Sequence, residues 1–145
     1  MRTSTIENTP KRAGFTMVEL LIVISVIGIM SALVISAFSN AAQDTRRVIA
    51  RQQQAAVQNA VNAWVTQKSA TDGLAATKTA YNAAGMTSMG RVKLAGSFLD
   101  ETTLDHFDSQ TTDDNQVKSA ALKKTGQYLQ LGAWADGSYP KVELK

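Results

Sequence analysis

The chain has 145 residues, with 15 Lys and Arg, 12 Asp and Glu, and no Cys. This length suffices for one membrane segment and one small soluble domain, but not for two independent cores. The formal net charge is only +3 and no run of five or six like charges occurs, so the composition gives no sign of nucleic-acid binding. Without Cys, the chain has no disulfide, thiolate zinc site or cysteine nucleophile.

The first fourteen residues hold most of the basic excess. Arg2, Lys11 and Arg12 stand there against Glu7 alone, so three positive charges oppose one negative charge. The remainder of the chain is therefore close to neutral.

A long apolar run follows at residues 20–42, which contain no ionisable side chain. As a helix rising about 1.5 Å per residue, this run spans roughly 35 Å, enough to cross a bilayer. A cleaved secretory signal would have a shorter apolar core of about 7 to 15 residues, followed by a small-residue cleavage site. The run instead passes directly into helical sequence, which predicts a retained membrane helix.

Glu19 stands at the start of this run, where an ordinary membrane anchor does not explain a carboxylate. One interpretation is that the side chain reaches headgroups or water, at a cost well below the roughly 2.5 to 3.5 kcal/mol of a charge at the bilayer centre. The other is that Glu19 pairs with a cation that its own helix does not supply. A new amino terminus created just before Phe15 would provide that cation.

The sequence GFTMVELLIVI at residues 14–24 resembles the processing and methylation motif of bacterial type IV pilins and pseudopilins. The resemblance implies that a prepilin peptidase cuts between Gly14 and Phe15 on the cytoplasmic side, and that the Phe15 amine is then methylated. It also implies that Glu19 pairs with the terminal amine of a neighbouring subunit as a filament grows. Two partly desolvated opposite charges would set the register between subunits, and the first helical turns favour a negative charge.

This resemblance predicts an α+β, pilin-like fold in which a long N-terminal helix packs against a small antiparallel sheet. The predicted segments are a cleaved leader at 1–14, a membrane and filament-core helix at 15–43, its amphipathic continuation at 44–70, and a head domain at 71–145. The implied location is the bacterial inner membrane with the head outside the cytoplasm, followed by an extracellular or periplasmic filament. The implied partners are copies of the chain, related minor pilins, prepilin peptidase, the inner-membrane assembly platform and, before assembly, membrane lipid.

Some residues near the motif have two interpretations or depart from the family pattern. Thr16 has a processing role or is an ordinary helix-start residue. Gly28 and Ala32 form only a weak small-xxx-small pattern. Ser36 stands where many family members carry a helix-bending proline, so the sequence gives no proline-driven break.

Beyond the apolar run, no proline interrupts the chain until Pro140, which predicts a helix that continues to about residue 68. Arg46, Arg47 and Arg51 interrupt the apolar character, as a solvated or inter-subunit face or, less favoured, as contacts to lipid headgroups. Because these arginines follow the span, they compete with the leader's basic residues, which precede it, in predicting which end of the span is cytoplasmic. A one-sided apolar stripe consists of Ile49, Ala56, Val57, Ala60, Val61, Trp64 and Val65, and its half at 57–65 is predicted to pack on the head.

Residues 71–73 are predicted to end the long helix, with Gly73 as the helix stop, and the head at 71–145 is predicted to contain a sheet of three antiparallel strands. The predicted strands are 91–94, 128–134 and 141–144. The predicted helices are 74–84, ended by Gly85, 100–107 and 116–124. Asp136 and Gly137 predict a hairpin turn, and Pro140 predicts that the last strand lies at an edge.

The head offers little catalytic chemistry. The single histidine, His106, lies in an acidic stretch, and an oxygen-rich calcium site is a weak alternative to a solvated loop because the spacing of a dedicated calcium loop is absent. The candidate ligands are Asp105, Asp108, Asp113 and Asp114. No metal or other cofactor is otherwise predicted. No motif of nucleophilic, zinc-dependent or phosphate-binding catalysis is present, so the sequence does not predict an enzyme.

The sequence therefore predicts a structural filament subunit that is processed by prepilin peptidase and polymerises through its N-terminal helix. The alternative is an uncleaved single-pass membrane protein that presents a small binding domain. Trp134 and Tyr139 have two interpretations. They form a contact surface, or they form an aromatic pair that stabilises the hairpin.

Overall fold

The computed structural model describes residues 14–83 and 85–145. The chain divides into an N-terminal unit that ends at Asn40 and a head unit at Ala41–Lys145. Residues 1–13 of the predicted leader (1–14) and the predicted helical residue Ala84 lie outside the described residues.

Helix α1 (Met17–Asp72) supplies all the secondary structure of the N-terminal unit from residue 14 onwards. Its side chains there are exposed, and the helix runs through Ser36 without interruption. The hydroxyls of Ser25 and Ser31 donate to the carbonyls of Leu21 and Ile27, each at 2.7 Å, so these polar groups are satisfied within the helix. Among the described residues, α1 is the one helix long and apolar enough to cross a membrane.

Within the head unit, α1 buries one face. Its buried residues are Ala50, Val57, Ala60, Val61 and Val65. Val57, Ala60, Val61 and Val65 belong to the half predicted to pack on the head, whereas Ala56, also in the stripe, is exposed. Ala56 is rotated by about 100° from Val57, away from Val61 and Val65, so it lies beyond the edge of the buried face, whereas Ala50 lies two turns before Val57.

Gly73 ends α1 with a φ of +83°, which confirms the predicted helix stop. Helix α2 (Leu74–Tyr81) follows directly but ends earlier than predicted. Its last turn is capped by Asn82, whose backbone N–H donates to the Lys78 carbonyl at 3.0 Å. Gly85 therefore lies beyond the helix rather than at its end.

Residues 91–94 do not form the predicted strand, because they belong to helix α3 (Ser88–Leu94). The buried apolar side chains are Met89, Val92 and, at the C-cap, Ala95, and their spacing of three residues is helical periodicity. Thr87 caps the helix by accepting a hydrogen bond from the Gly90 N–H at 3.1 Å. The short alternation of polar and apolar residues was thus part of a helical pattern.

A 3₁₀ turn (Gly96–Phe98) leads to helix α4 (Glu101–Gln110), which confirms the predicted helix there and extends it by three residues. Helix α5 (Ala120–Thr125) starts four residues later than predicted. Val117 instead forms an antiparallel bridge with Leu129, so this part of the predicted helix is extended.

The sheet has two antiparallel strands rather than the predicted three, β1 (Leu129–Leu131) and β2 (Val142–Leu144). Leu129 pairs with Leu144 and Leu131 with Val142. The architecture is nevertheless α+β and pilin-like, as predicted: a long N-terminal helix, short helices and a small antiparallel sheet.

The outer edge of β1 is closed by groups other than a third strand. Val117 and Leu129 exchange two backbone hydrogen bonds of 3.0 and 2.8 Å. At the next outward position, the Leu131 N–H donates to Ser88 Oγ at 3.1 Å, and its carbonyl accepts from Arg91 Nη1 at 2.7 Å. Helix α3 therefore occupies the place of the predicted strand.

The outer edge of β2 is closed by glutamines of α1. The Val142 N–H donates to Gln58 Oε1 and its carbonyl accepts from Gln54 Nε2, both at 2.8 Å. Gln58 also donates to the Pro140 carbonyl at 2.9 Å. Pro140 precedes β2, which is an edge strand as predicted.

An aromatic cluster fills the space between α1, α2 and the sheet. The ring of Tyr81 meets those of Trp64 and Trp134, each at 6.1 Å between centroids, and Trp134 stacks on Tyr139 at 5.9 Å. Asn82 brackets the Trp134 backbone with hydrogen bonds of 2.7 and 2.9 Å.

The connection from β1 to β2 is therefore longer than a tight hairpin. Residues 132–141 lie outside the strands, although Asp136 and Gly137 do form a turn, with Gly137 at a φ of +75°. The predicted pairing of Trp134 with Tyr139 is present, but neither residue lies in a strand.

Candidate processing and assembly site

The predicted cleavage bond lies in a non-helical segment. Gly14, Phe15 and Thr16 precede the first residue of α1, and all three are exposed, Phe15 by 85%. A peptidase needs an accessible backbone outside regular helix, and these residues are exposed and non-helical. No described atom lies within 4 Å of a Cβ placed on Gly14, so the structure gives no packing reason for glycine there.

Thr16 and Glu19 form a reciprocal cap at the start of α1. The Glu19 N–H donates to Thr16 Oγ1 at 3.2 Å, while Glu19 Oε2 accepts from the Thr16 N–H at 2.8 Å and from its hydroxyl at 2.9 Å. This is the capping box, in which a threonine and a glutamate three residues later satisfy each other's free backbone donors. The first helical hydrogen bond, from the Leu20 N–H to the Thr16 carbonyl, is 3.2 Å long.

The cap supplies Glu19 with two hydrogen-bond donors, neither of which is a cation. A carboxylate in the first turn also interacts favourably with the helix dipole. Cleavage after Gly14 would leave the peptide bond between Phe15 and Thr16 intact, so the cap does not depend on the leader. The new amine would lie one residue before the Thr16 N–H that already contacts Glu19.

The face of α1 around Gly28 is open. No described atom lies within 4 Å of a Cβ placed on Gly28, so the chain itself does not require glycine at this position. Any close approach between helices at the Gly28 and Ala32 pair would involve another molecule.

Acidic residues of the predicted loop make different contacts within the head. Asp108 forms an ion pair with Lys93 at 2.7 Å, and this hydrogen bond raises the pKa of Lys93. Asp113 accepts from the Asn115 N–H at 3.0 Å. Across residues 14–83 and 85–145, His, Cys, Asp and Glu form no group of three or more that could hold a metal. Calcium binding by Asp105, Asp108, Asp113 and Asp114 stays a prediction.

His106 has a structural contact, since its Nε2 accepts from the Ala120 N–H at 3.3 Å at the start of α5. This contact ties α4 to α5. A hydrogen bond of 2.7 Å from Ser119 Oγ to Gln53 Oε1 ties the buried cap of α5 to α1. Gln53 interrupts the apolar stripe in the sequence because it serves this contact.

Sequence reasoning left the role of Thr16 open between processing and helix initiation. The signal that identifies its contact with Glu19 was present, because a threonine followed three residues later by a glutamate before an apolar run is the sequence pattern of a capping box.

Comparison with known families matches residues 9–35 to the prokaryotic N-terminal methylation motif. The match includes Gly14, Phe15 and Glu19 and extends well into the apolar part of α1. Comparison with curated proteins and with solved structures returned no match. The motif supports a pilin-like substrate of prepilin peptidase that is anchored in the inner membrane as a precursor and assembles with other pilins. The chain therefore carries the prepilin-type signal of the type IV pilins and pseudopilins.

Proposed function

We propose that the protein is a structural subunit of a type IV pilus-like or type II secretion pseudopilus filament. The observation that carries this proposal is the N-terminal part of α1, where the methylation motif leads into a helix with exposed apolar side chains on all sides. Such a helix needs an apolar environment. A bilayer supplies it before assembly, and the helices of neighbouring subunits supply it in a filament.

Processing is proposed to convert the membrane-anchored precursor into the filament subunit. Prepilin peptidase cuts between Gly14 and Phe15, the Phe15 amine is methylated, and this cation pairs with Glu19 of a neighbouring copy. The capping box supports this role because it holds the Glu19 carboxylate at the helix start, beside the chain position where the amine is created. Desolvation in the filament core would strengthen the attraction between the two charges.

The head unit is proposed to lie outside the cytoplasm, first at the inner membrane and then on an extracellular or periplasmic filament. The assembly platform and minor pilins of the same machine are the proposed partners. No step of this process requires catalysis by the chain itself.

Mass spectrometry of the protein isolated from its native membrane tests the processing step. The expected mature N-terminus is Phe15 carrying a methyl group. A chain that retains Met1 would contradict the proposal and favour a single-pass membrane protein that presents a binding domain.

Two variants of Glu19 separate its charge from its capping role. Glu19→Ala removes both, whereas Glu19→Gln keeps an oxygen that can accept from Thr16. We expect both variants to be processed, and neither to form filaments by electron microscopy. Normal filaments from Glu19→Gln would contradict the proposed ion pair, whatever Glu19→Ala does.

A further inference from the structure

The head unit contains a basic cleft just beyond the apolar run. It is lined by Gln43, Arg46 and Arg47 of α1 and by Lys124 and Thr125 at the end of α5, with a volume of about 160 Å³. Residues far apart in the chain thus bring three cationic side chains to one place. Gln43 adds a neutral amide to the lining, whereas the Thr125 hydroxyl already donates to the Leu122 carbonyl at 3.0 Å.

The cationic groups of this cleft have few partners of their own. Arg47 forms an exposed ion pair with Asp44 at 3.3 Å. Among the described residues, Arg46 and Lys124 form no salt bridge. The surrounding sequence does not balance them, since residues 45–71 and 115–135 contain no Asp or Glu.

The position of the cleft favours a membrane ligand. The apolar run ends at Ala42, and Arg46 follows four residues later on the same helix, about 6 Å further along its axis. Long basic side chains at this distance from an apolar span reach the headgroup layer. Arginine presents a planar fork of donors that suits phosphate oxygens.

We propose that this cleft binds the phosphate of an anionic lipid headgroup and thereby holds the head unit at the membrane before assembly. The inference rests on the proposed membrane-anchored stage and adds a lipid site to it. Extraction of the subunit into a filament would then require release of this headgroup.

Lysine reactivity in lipid nanodiscs tests the proposal. The full chain is placed at one copy per disc, in phosphatidylcholine alone or mixed with phosphatidylglycerol, and acetylation of each lysine is followed by mass spectrometry. Lys124 is expected to react at least about fivefold more slowly in the anionic discs, and high salt is expected to remove the difference. Lys141, which lies outside the cleft, should react alike in both.

A double variant and its matched control assign the effect to the cleft. R46Q/R47Q keeps Lys124 as reporter and is expected to lose most of the slowing. K68Q/K145Q removes the same charge outside the cleft and is expected to behave as the unmodified chain.

Several results would overturn the proposal. Equal reactivity of Lys124 in both lipids excludes the proposed binding of an anionic headgroup. The same slowing by inorganic phosphate in phosphatidylcholine discs would identify a site for a free anion. Slowing in phosphatidylcholine discs that hold two copies would instead assign the cleft to a neighbour's acidic segment at residues 100–114. These outcomes leave the processing and filament tests unaffected, because they concern the unassembled chain.

Discussion

The two units of the chain use apolar side chains in opposite ways. Phe38 in the N-terminal unit is 71% exposed, whereas Phe107 in the head unit is 1% exposed. The head unit covers most of its large apolar residues with its own core, although Val48 and Leu74 are exposed, whereas the N-terminal unit requires lipid or other subunits to cover its apolar residues. A continuous stretch of exposed apolar side chains, rather than a single one, therefore indicates an apolar environment.

Truncation of each of these two phenylalanines to alanine is expected to give the largest difference in stability between the two units. Phe107→Ala removes a fully buried ring and is expected to lower the free energy of unfolding of the head by about 3 to 5 kcal/mol. Phe38→Ala should change it by less than about 0.5 kcal/mol. Urea unfolding in mild detergent, followed by tryptophan fluorescence, measures both, because Trp64 and Trp134 both lie in the head unit. Equal effects would contradict the separation of the two units.

Gln58 tests the polar contacts that α1 makes within the head, because its side chain closes the edge of the sheet. Gln58→Ala leaves the Val142 N–H and the Pro140 carbonyl without their present partners, and a cost of about 1 to 3 kcal/mol is expected. Gln52→Ala, on the exposed face of α1, is the control and should be nearly neutral. Hydrogen exchange at Val142 should become faster only in the Gln58 variant. Unchanged exchange there would show that the glutamine does not protect the edge.

Tyr81 makes the stability of the head depend on pH, because it is buried there and its hydroxyl has no partner among the described residues. Burial raises the pKa of Tyr81 to about 12, while Arg91 opposes the shift. Since the folded pKa lies above the ordinary value of about 10, the neutral form stabilises the fold fully below pH 10 and this contribution is lost as pH rises towards 12.

The expected loss attributable to Tyr81 is about 2 kcal/mol at pH 12. Tyr81→Phe should be nearly neutral at pH 7, because no hydrogen bond is removed. Urea unfolding from pH 7 to 12 compares the variant with the unmodified chain. If both lose stability in parallel above pH 10, the burial of the hydroxyl is not the cause.

The smallest effect is expected at the surface, where Lys78 donates to Asp136. This hydrogen bond, together with the lysine charge, lowers the pKa of Asp136. Its contribution is therefore present above the ordinary carboxyl pKa near 4 and is lost as pH falls further. Because the carboxylate is exposed, Asp136→Asn should leave the urea midpoint at pH 7 within error. A clear shift would indicate that the turn at Asp136 and Gly137 supports the core.

Long-range periodicity was the most reliable sequence signal. The apolar run, the absence of proline and the stop at Gly73 predicted α1 almost to its ends, because a long helix depends on many residues that agree. The motif around Glu19 was equally clear in the sequence, because its residues are close neighbours along the chain.

The head was less predictable because its elements are short. Four residues at 91–94 fit a strand by alternation, and only Met89 and Ala95 on either side show the helical spacing. The closure of the sheet by Ser88, Gln54 and Gln58 depends on contacts between distant parts of the chain. No local pattern encodes these contacts. The cleft of Arg46 and Lys124 was missed for the same reason.

The closed edges of the two-stranded sheet have a consequence for molecules held at high local concentration. Exposed strands on crowded copies would pair with one another and lead to cross-β aggregation. At Leu131 and Val142, side chains from α3 and α1 already occupy the donors and acceptors through which such pairing would begin. In the proposed filament, this closure would let many adjacent copies display the head, with ordered growth left to the N-terminal helix.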